Sequence, residues 1–372
     1  MLVDFNSPQP QYSKGSISIA LVREALSAAE QQGLDTALIL HKAGIAAELL
    51  HASKARVTVS AYAQLWIVLA EHMNDEFFGM DSHPMRRGSY LLLSQLVMSA
   101  ETLAQALHRT LKFLNALLDD IHSDYVIVGD QVELILQDRA HPKRMFCYAT
   151  YLMLIHGLLC WLAGQRIVLN QIQLKCHPPL DDQDYRVRFC DNIHYQAAEN
   201  RICFDADYLQ IKIKQDRQSW YAFMQHTPHN LLIRFKNPNA LSTRIRKHLM
   251  QVHPAQWLEL NELAQRLNIS EATIQRRLKQ EGVSYQQLKN DIRRDTAIEL
   301  LNSSQQSLQD ISDALNFQDP SAFHRAFKKW TGVSPGAYRN LNEAEGESSF
   351  NADYGGIPEA KLNRHRISKL QG

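Results

Sequence analysis

Apolar and polar positions change period along this chain, and the changes mark out its parts. Ile19, Val22, Leu26 and Ala29 recur at helical spacing, which sets one face of a helix against a core. Residues 38–44 read as a second helix stopped by Gly44. Ser60, with Gln64 near the reciprocal capping position, predicts the start of a helix carrying Leu65, Val68 and Leu69. Leu103, Ala106, Leu107, Leu111 and Leu114 put another helix over 102–118. The period then drops to two: residues 125–128 and 132–136, separated by Gly129-Asp130, predict a β-hairpin. A helix follows over 145–163, and strands are expected at 172–176, 185–189 and 201–204. Helices followed by sheet make an α+β domain over about 17–227.

Past residue 240 the helical period returns, and it is duplicated. Leu267 aligns with Leu315, Asn268 with Asn316 and Ile269 with Phe317. After one extra residue, Gln318, Ile274 aligns with Phe323, Arg276 with Arg325 and Leu278 with Phe327. Ser270 and Asp319 suit helix N-caps, because a short side-chain oxygen accepts an amide hydrogen left unpaired at the helix start, and Pro320 suits the first helical position. Ile274 and Leu278, like Phe323 and Phe327, fall on one inward face. That leaves Ala272, Thr273, Gln275 and Arg276 outward in the first unit, and Ser321, Ala322, His324 and Arg325 in the second. A short helix, a turn and a second helix with an outward polar face is the geometry that enters a DNA major groove. One such stretch is as often an ordinary amphipathic pair with a solvated face. Two in register argue against that.

The segment resembles the AraC/XylS family of bacterial transcription regulators. The resemblance rests on Leu263-Ala264, Ile274-x-Arg276-x-Leu278, Gly282, Arg293, Ala297, Leu300-Leu301, Ile311, Phe317, Phe323-x-Arg325-x-Phe327-Lys328, Gly332, Ser334-Pro335 and Tyr338-Arg339. Asn316 stands where the family usually has glycine, and Ser312 where it usually has alanine. Asn tolerates positive φ better than other non-glycine residues, and Ser is nearly as small as Ala, so both departures preserve the turn. The family pattern implies a long helix over about 285–302 joining the two units and holding them for successive major grooves, roughly 34 Å apart. Leu288, Ile292, Ala297, Leu300 and Leu301 supply its apolar stripe, with Arg293 and Arg294 elsewhere on its surface.

The N-terminal order of elements is similar to the arabinose-binding-like, non-cupin sensor domain of one branch of that family. Ala43-Gly44-Ile45, residues 57–62, Phe77-Phe78-Gly79-Met80, Gly88, Thr102-Leu103, His177-Pro178 with Tyr185, and residues 200–209 carry this likeness. It implies an effector-responsive regulator of transcription, more often an activator, with double-stranded DNA, RNA polymerase and a small-molecule effector as partners. The branch name does not make the effector a sugar.

Charge sharpens the division. The 372 residues carry a formal net charge of only +1, yet residues 234–339 hold 16 basic and 10 acidic residues, leaving −5 for the remainder. Arg276, Gln275, Thr273 and Ala272 are expected at bases in the first unit, and Arg325, His324 and Ser321 in the second. Arg to guanine and Gln to adenine are the favoured bidentate pairs. Lys279, Lys328 and Lys329 suit phosphates.

Composition adds limits. The chain has the length of two domains: a mobile start at 1–16, the sensor over 17–227, a linker at 228–239, the DNA-binding domain over 240–340 and a disordered tail from 341 to 372. Five cysteines with no close pairing suggest free thiols in a reducing compartment. No leader pattern is visible at the start, and the apolar run at 151–164 is short of the ~18 residues that suggest a membrane span. A cytoplasmic protein without membrane attachment is expected. His156 with Cys160 has metal-ligand spacing on a helix but lacks a third ligand, the Asp181, Asp182, Asp184 cluster reads as a solvated loop, and no phosphate-cradling glycine loop occurs. Neither an enzyme nor a cofactor or metal is expected. Tyr148, His156 and Trp161, on the most apolar helix with Tyr151 and Met153, are candidate effector contacts. A homodimer formed through the sensor domain, at the apolar helices between 91 and 118, would raise promoter occupancy. Two other readings remain: a regulator governed by a partner protein or its own abundance, and an enzyme domain fused to a DNA-binding one.

Overall fold

The computed structural model describes residues 15–139, 141–232, 241–280 and 283–343. The expected mobile start up to residue 14, the expected linker from 233 onward, the expected tail from 344 and Gly282 lie outside the described residues. The short strands β1 (Ser16–Ser18) and β2 (Arg56–Thr58) pair antiparallel and bracket α1 (Ile19–Gln31) and α2 (Thr36–Lys42). Helices α3 (Val59–Met73), α4 (Ser89–Val97) and α5 (Leu103–Leu117) follow, then the hairpin β3 (Ile121–Val128) and β4 (Gln131–Asp138). Next come α6 (Met145–Ala163), β5 (Leu169–Gln173), α7 (Gln183–Arg188), β6 (Ile193–His194), β7 (Asn200–Asp205), α8 (Arg217–Gln225) and the one-turn α9 (His229–Leu232). The main sheet runs β3-β4-β7-β5-β6 and is antiparallel except where β5 meets β6. This is the expected α+β architecture.

Helix α6 lies on that sheet and is the keystone of the sensor core. Met145, Tyr148, Ala149 and Leu152 pack with Leu136, Ile172 and Ile202 of the strands, and Val132, Leu134 and Leu136 alternate inward along β4. All but the last residue of α6 is buried, so it is apolar all round and shows no amphipathic stripe. By length and composition it could cross a membrane, but its apolar 18-residue stretch is buried inside the fold.

Three local expectations are corrected. Ser60 does not cap α3: Thr58 does, its Oγ1 accepting from Ala61 N at 3.0 Å, because pairing of β2 with β1 fixes the chain two residues earlier. Residues 185–189 form no strand. Residues 185–188 belong to α7 and Phe189 follows its last turn; Tyr185, Arg188 and Phe189 are buried and Val187 is 53% exposed, a helical spacing. The inward Arg188 hid that period; its Nη2 donates to Leu231 O at 2.7 Å. Of the acidic cluster, Asp181 and Asp182 lie in the loop before α7, with Asp181 exposed, but Asp184 is not solvated. Asp184, at the start of α7, accepts from Ser18 N at 2.7 Å and pairs with Arg56 at 2.8 Å.

The C-terminal part is all helical: α10 (Leu241–Gln251), α11 (Leu260–Leu267), α12 (Glu271–Gln280), α13 (Tyr285–Ser303), α14 (Leu308–Ala314), α15 (Pro320–Thr331) and α16 (Pro335–Glu343). Its two helix-turn-helix units have different apolar surroundings. Leu263, Ala264, Ile274 and Leu278 of the first form a cluster of their own with α10, Trp257 and the start of α13. Ile311, Leu315, Phe323 and Phe327 of the second join the apolar cluster that continues through the sensor domain. Tyr338 ties that second unit down, its hydroxyl donating to Arg56 O at 2.7 Å.

Candidate DNA-reading surface and interdomain cavity

The two units repeat each other down to the backbone. In the first, Asn268 N donates to Gln265 O and Ile269 N to Ala264 O, each at 3.1 Å; in the second, Asn316 N donates to Asp313 O and Phe317 N to Ser312 O, each at 3.0 Å. Both asparagines take the left-handed conformation, at φ 53° and 55°, so both turns close by the same motif. Asn316 therefore does the work of the family's usual glycine. Ser312 is wholly buried at the helix contact, and its hydroxyl meets no partner among the described residues.

Both reading helices begin where the chain pattern puts them. Thr273 N donates to Ser270 Oγ at 3.2 Å, and Ala322 N to Asp319 Oδ1 at 2.7 Å, with Pro320 in the first position of α15. Ile274, Leu278, Phe323 and Phe327 are buried to the last atom. That fixes the opposite face. Ala272, Gln275, Arg276 and Lys279 are exposed on α12, as are Ser321, Arg325, Lys328 and Lys329 on α15. Thr273 is half-buried with its hydroxyl 2.9 Å from that of Ser270, and His324 and Ala322 are half-buried beside Phe323. Arg277 is also exposed on α12, at the position that Ala326 holds in the second unit.

A cavity of about 740 Å³ opens between the sensor and the first unit. Leu21, Val59, Tyr62, Phe146 and Met153 line its sensor wall; Ser242, Thr243 and Arg246 of α10, with Leu288, Asp291 and Asp295 of α13, line the other. Charge is concentrated where the walls meet. Asp295, with a side chain only 3% exposed, accepts from Ser16 Oγ at 2.9 Å, Arg246 Nη2 at 3.0 Å and Arg294 Nη2 at 3.0 Å. Arg56 sits behind Ser16, its Nε 2.8 Å from Ser16 Oγ. Burial pushes the Asp295 carboxyl up, but Arg294, Arg246 and Arg56 together with Ser16 outweigh it and hold the pKa below the usual carboxylate value.

The profile for the arabinose-binding domain of AraC transcription regulators, N-terminal, matches residues 33–213, and that for a helix-turn-helix domain matches 263–341. The chain belongs to the AraC family. The ornithine utilization regulator of Pseudomonas aeruginosa is 22% identical over 326 residues, which covers 87% of this chain and 96% of that protein. VirF of Shigella flexneri, a virulence regulon transcriptional activator, is 33% identical over 96 residues, 26% of this chain and 36% of VirF. The crystal structure of transcriptional regulator CdpR from Pseudomonas aeruginosa is 19% identical and covers 90% of this chain and all of that one. The TM-score is 0.30. An AraC-family chain with this pair of domains is a DNA-binding regulator of transcription with an N-terminal ligand-binding domain.

Within that AraC-family frame, the expected effector contacts fall apart. Of α6, only Phe146 and Met153 reach the cavity. Tyr148 is buried against the sheet, its hydroxyl 2.8 Å from both Asp138 oxygens and accepting from Lys143 N at 2.9 Å. His156 is buried with Nε2 2.8 Å from Ile167 O and 3.4 Å from Cys160 Sγ. Trp161 stacks on Phe223 at 4.6 Å between ring centroids. The fold has already taken up these polar and aromatic groups, so none of the three faces the space. Arg56, Arg246 and Asp295 gave no signal in the sequence, and the pairing of Asp184 was hidden there, because their partners lie up to 279 residues away. All five cysteines are free, and no group of three or more His, Cys, Asp or Glu is placed to hold a metal among the described residues.

Proposed function

We propose that this chain is an effector-responsive transcription activator that reads two successive major grooves with α12 and α15, and that its effector occupies the cavity between the sensor and the first reading unit. The cavity carries this proposal. A ligand there would touch the sensor wall and, at Arg246, Leu288 and Asp295, the frame of the first unit. Because the second unit shares its apolar cluster with the sensor and the first does not, occupancy would shift the first unit relative to the second. A ligand moves an equilibrium only by its different affinity for the two arrangements.

The lining combines apolar side chains with guanidinium and carboxylate groups, which suits a metabolite with an apolar stem and ionised ends. The name of the relative matching most of the chain makes a basic amino acid the first probe. Arg276 and Arg325 would contact base edges, with Gln275, Ala272, Thr273, Ser321 and His324 beside them and Lys279, Lys328 and Lys329 on phosphates. The chain would act as a homodimer in the cytoplasm and recruit RNA polymerase. Leu92 and Leu96, 59% and 43% exposed on α4, are the apolar side chains that a sensor-domain dimer would cover. Neither catalysis nor a cofactor enters this reading.

The test is a titration of the full chain with ornithine, lysine and arginine, and with apolar acids, read by melting temperature and by affinity for a duplex selected from a random pool. A ligand that raises the melting point and changes DNA affinity supports effector control. Melting unaffected by every ligand, with transcription tracking protein abundance alone, favours control by a partner protein or by supply of the regulator itself. Turnover of any bound compound would bring back the enzyme reading.

A further inference from the structure

Helix α13 supplies side chains to both apolar clusters: Tyr285, Leu288 and Ile292 to that of the first unit, and Ala297, Ile298 and Leu301 to that of the second. Arg293 stands at the seam. Its guanidinium carbon lies 4.9 Å from the centroid of the Trp257 ring and 5.8 Å from that of Phe317, and its Nε donates to Leu315 O at 3.1 Å. The groups it grips are themselves fixed. Trp257 is buried in the first cluster, with Nε1 donating to Leu249 O at 2.8 Å. Phe317 follows the left-handed Asn316 in the turn of the second unit and packs on Phe323 of its reading helix at 5.6 Å.

One planar cation therefore touches a core ring of the first unit and both the ring and the backbone at the turn of the second. A guanidinium stacks flat on aromatic faces while donating in its own plane, which a lysine ammonium cannot do. The repeat itself points to a purpose. Ile269 stands in the first unit where Phe317 stands in the second, so the aromatic ring is present only at the turn that faces Arg293. The next two residues, Arg294 and Asp295, enter the charged junction with the sensor on another side of the helix.

We propose that Arg293 is the positioning residue that fixes α12 and α15 in one mutual register, so that DNA is read at a single spacing between its two half-elements. This rests on the reading of both units as DNA readers. Two readers on a stiff frame gain from each other only when both half-elements are in phase. One inserted base pair shifts a half-element along the axis by about 3.4 Å and rotates it by roughly 35°, and a clamped frame does not follow.

The test uses the full chain and a duplex selected from a random pool, with versions carrying one base pair more or one fewer between half-elements. Fluorescence anisotropy gives the affinities. The wild-type chain should lose about 30-fold or more on either altered spacing. Arg293→Ala should lose about tenfold at the original spacing and no more than about threefold further on the altered ones. Arg293→Lys should behave like Arg293→Ala, since charge without the planar stack does not restore the clamp. Should Arg293→Ala fail to fold, Phe317→Ile copies the first unit, keeps the site apolar and should show the same relaxed spacing. Variants that bind more weakly but keep the wild-type penalty for altered spacing would overturn the proposal. A wild-type chain whose affinity is unchanged when one half-element is scrambled would instead defeat the two-reader premise.

Discussion

Replacing Asp295 by Ala should destabilise the full chain by about 3 kcal/mol, the low end of the ~3–5 kcal/mol for removing one partner of a buried pair. Asp295 is almost wholly buried and faces Arg246 and Arg294, with Arg56 behind Ser16. Deleting the carboxylate leaves two guanidinium groups, at 13% and 20% side-chain exposure, facing each other with no counter-charge between them. The low end applies because Arg294 keeps Asp291 at 3.0 Å. Asp295→Asn keeps the shape and some hydrogen bonds, so a smaller loss of roughly 1–2 kcal/mol is expected. Urea unfolding followed by tryptophan fluorescence measures both. The pH dependence has a definite sign. The folded carboxyl titrates below its unfolded value, so its contribution is complete above the ordinary carboxylate pKa of about 4 and is lost as pH falls through the lower folded value. The gap between wild type and Asp295→Asn should hold from pH 7 to 5 and close in stronger acid. An Asp295→Ala chain as stable as wild type at pH 7, or a gap that widens in acid, would show that the junction holds nothing together.

Three further outcomes are expected. Arg276→Ala and Arg325→Ala should each cost about 1–3 kcal/mol on the selected duplex and less on a scrambled one; equal losses on both would reassign the arginine to phosphate. Removing Lys279, Lys328 or Lys329 should weaken binding to both duplexes alike and lower the salt slope by about one per lysine, and an unchanged slope would take that side chain off the backbone. Ser312→Ala, which deletes a buried hydroxyl without a partner among the described residues, should leave stability unchanged or raise it by up to about 1 kcal/mol, and a clear loss on urea unfolding would reveal a hidden partner.

The C-terminal part was legible because its determinants are local. Caps at Ser270 and Asp319, left-handed asparagines at 268 and 316, and inward pairs four residues apart act within one turn of chain, so their pattern survives in the sequence. The hairpin of β3 and β4 and the whole of α6 were readable for the same reason. Strands β1 and β2 were not, since each is three residues long and exists by pairing with the other across 40 positions. Helix α7 was misread because Tyr185, Val187 and Phe189 alternate like a strand, while the true inward set includes a charged Arg188 held by a distant carbonyl. The outward faces of α12 and α15 followed from helix geometry. The cavity did not follow from it. Its walls come from both domains, and apolarity along α6 marked the densest core rather than the open space.

Footprinting the full chain on a duplex selected from a random pool tests the two-reader claim most directly, with Arg276→Ala and Arg325→Ala run beside the wild type. Two protected elements on one DNA face, centred about 10–10.5 base pairs apart, are expected, with each substitution weakening protection at a different element. A single protected element, or two substitutions that weaken the same one, would contradict it.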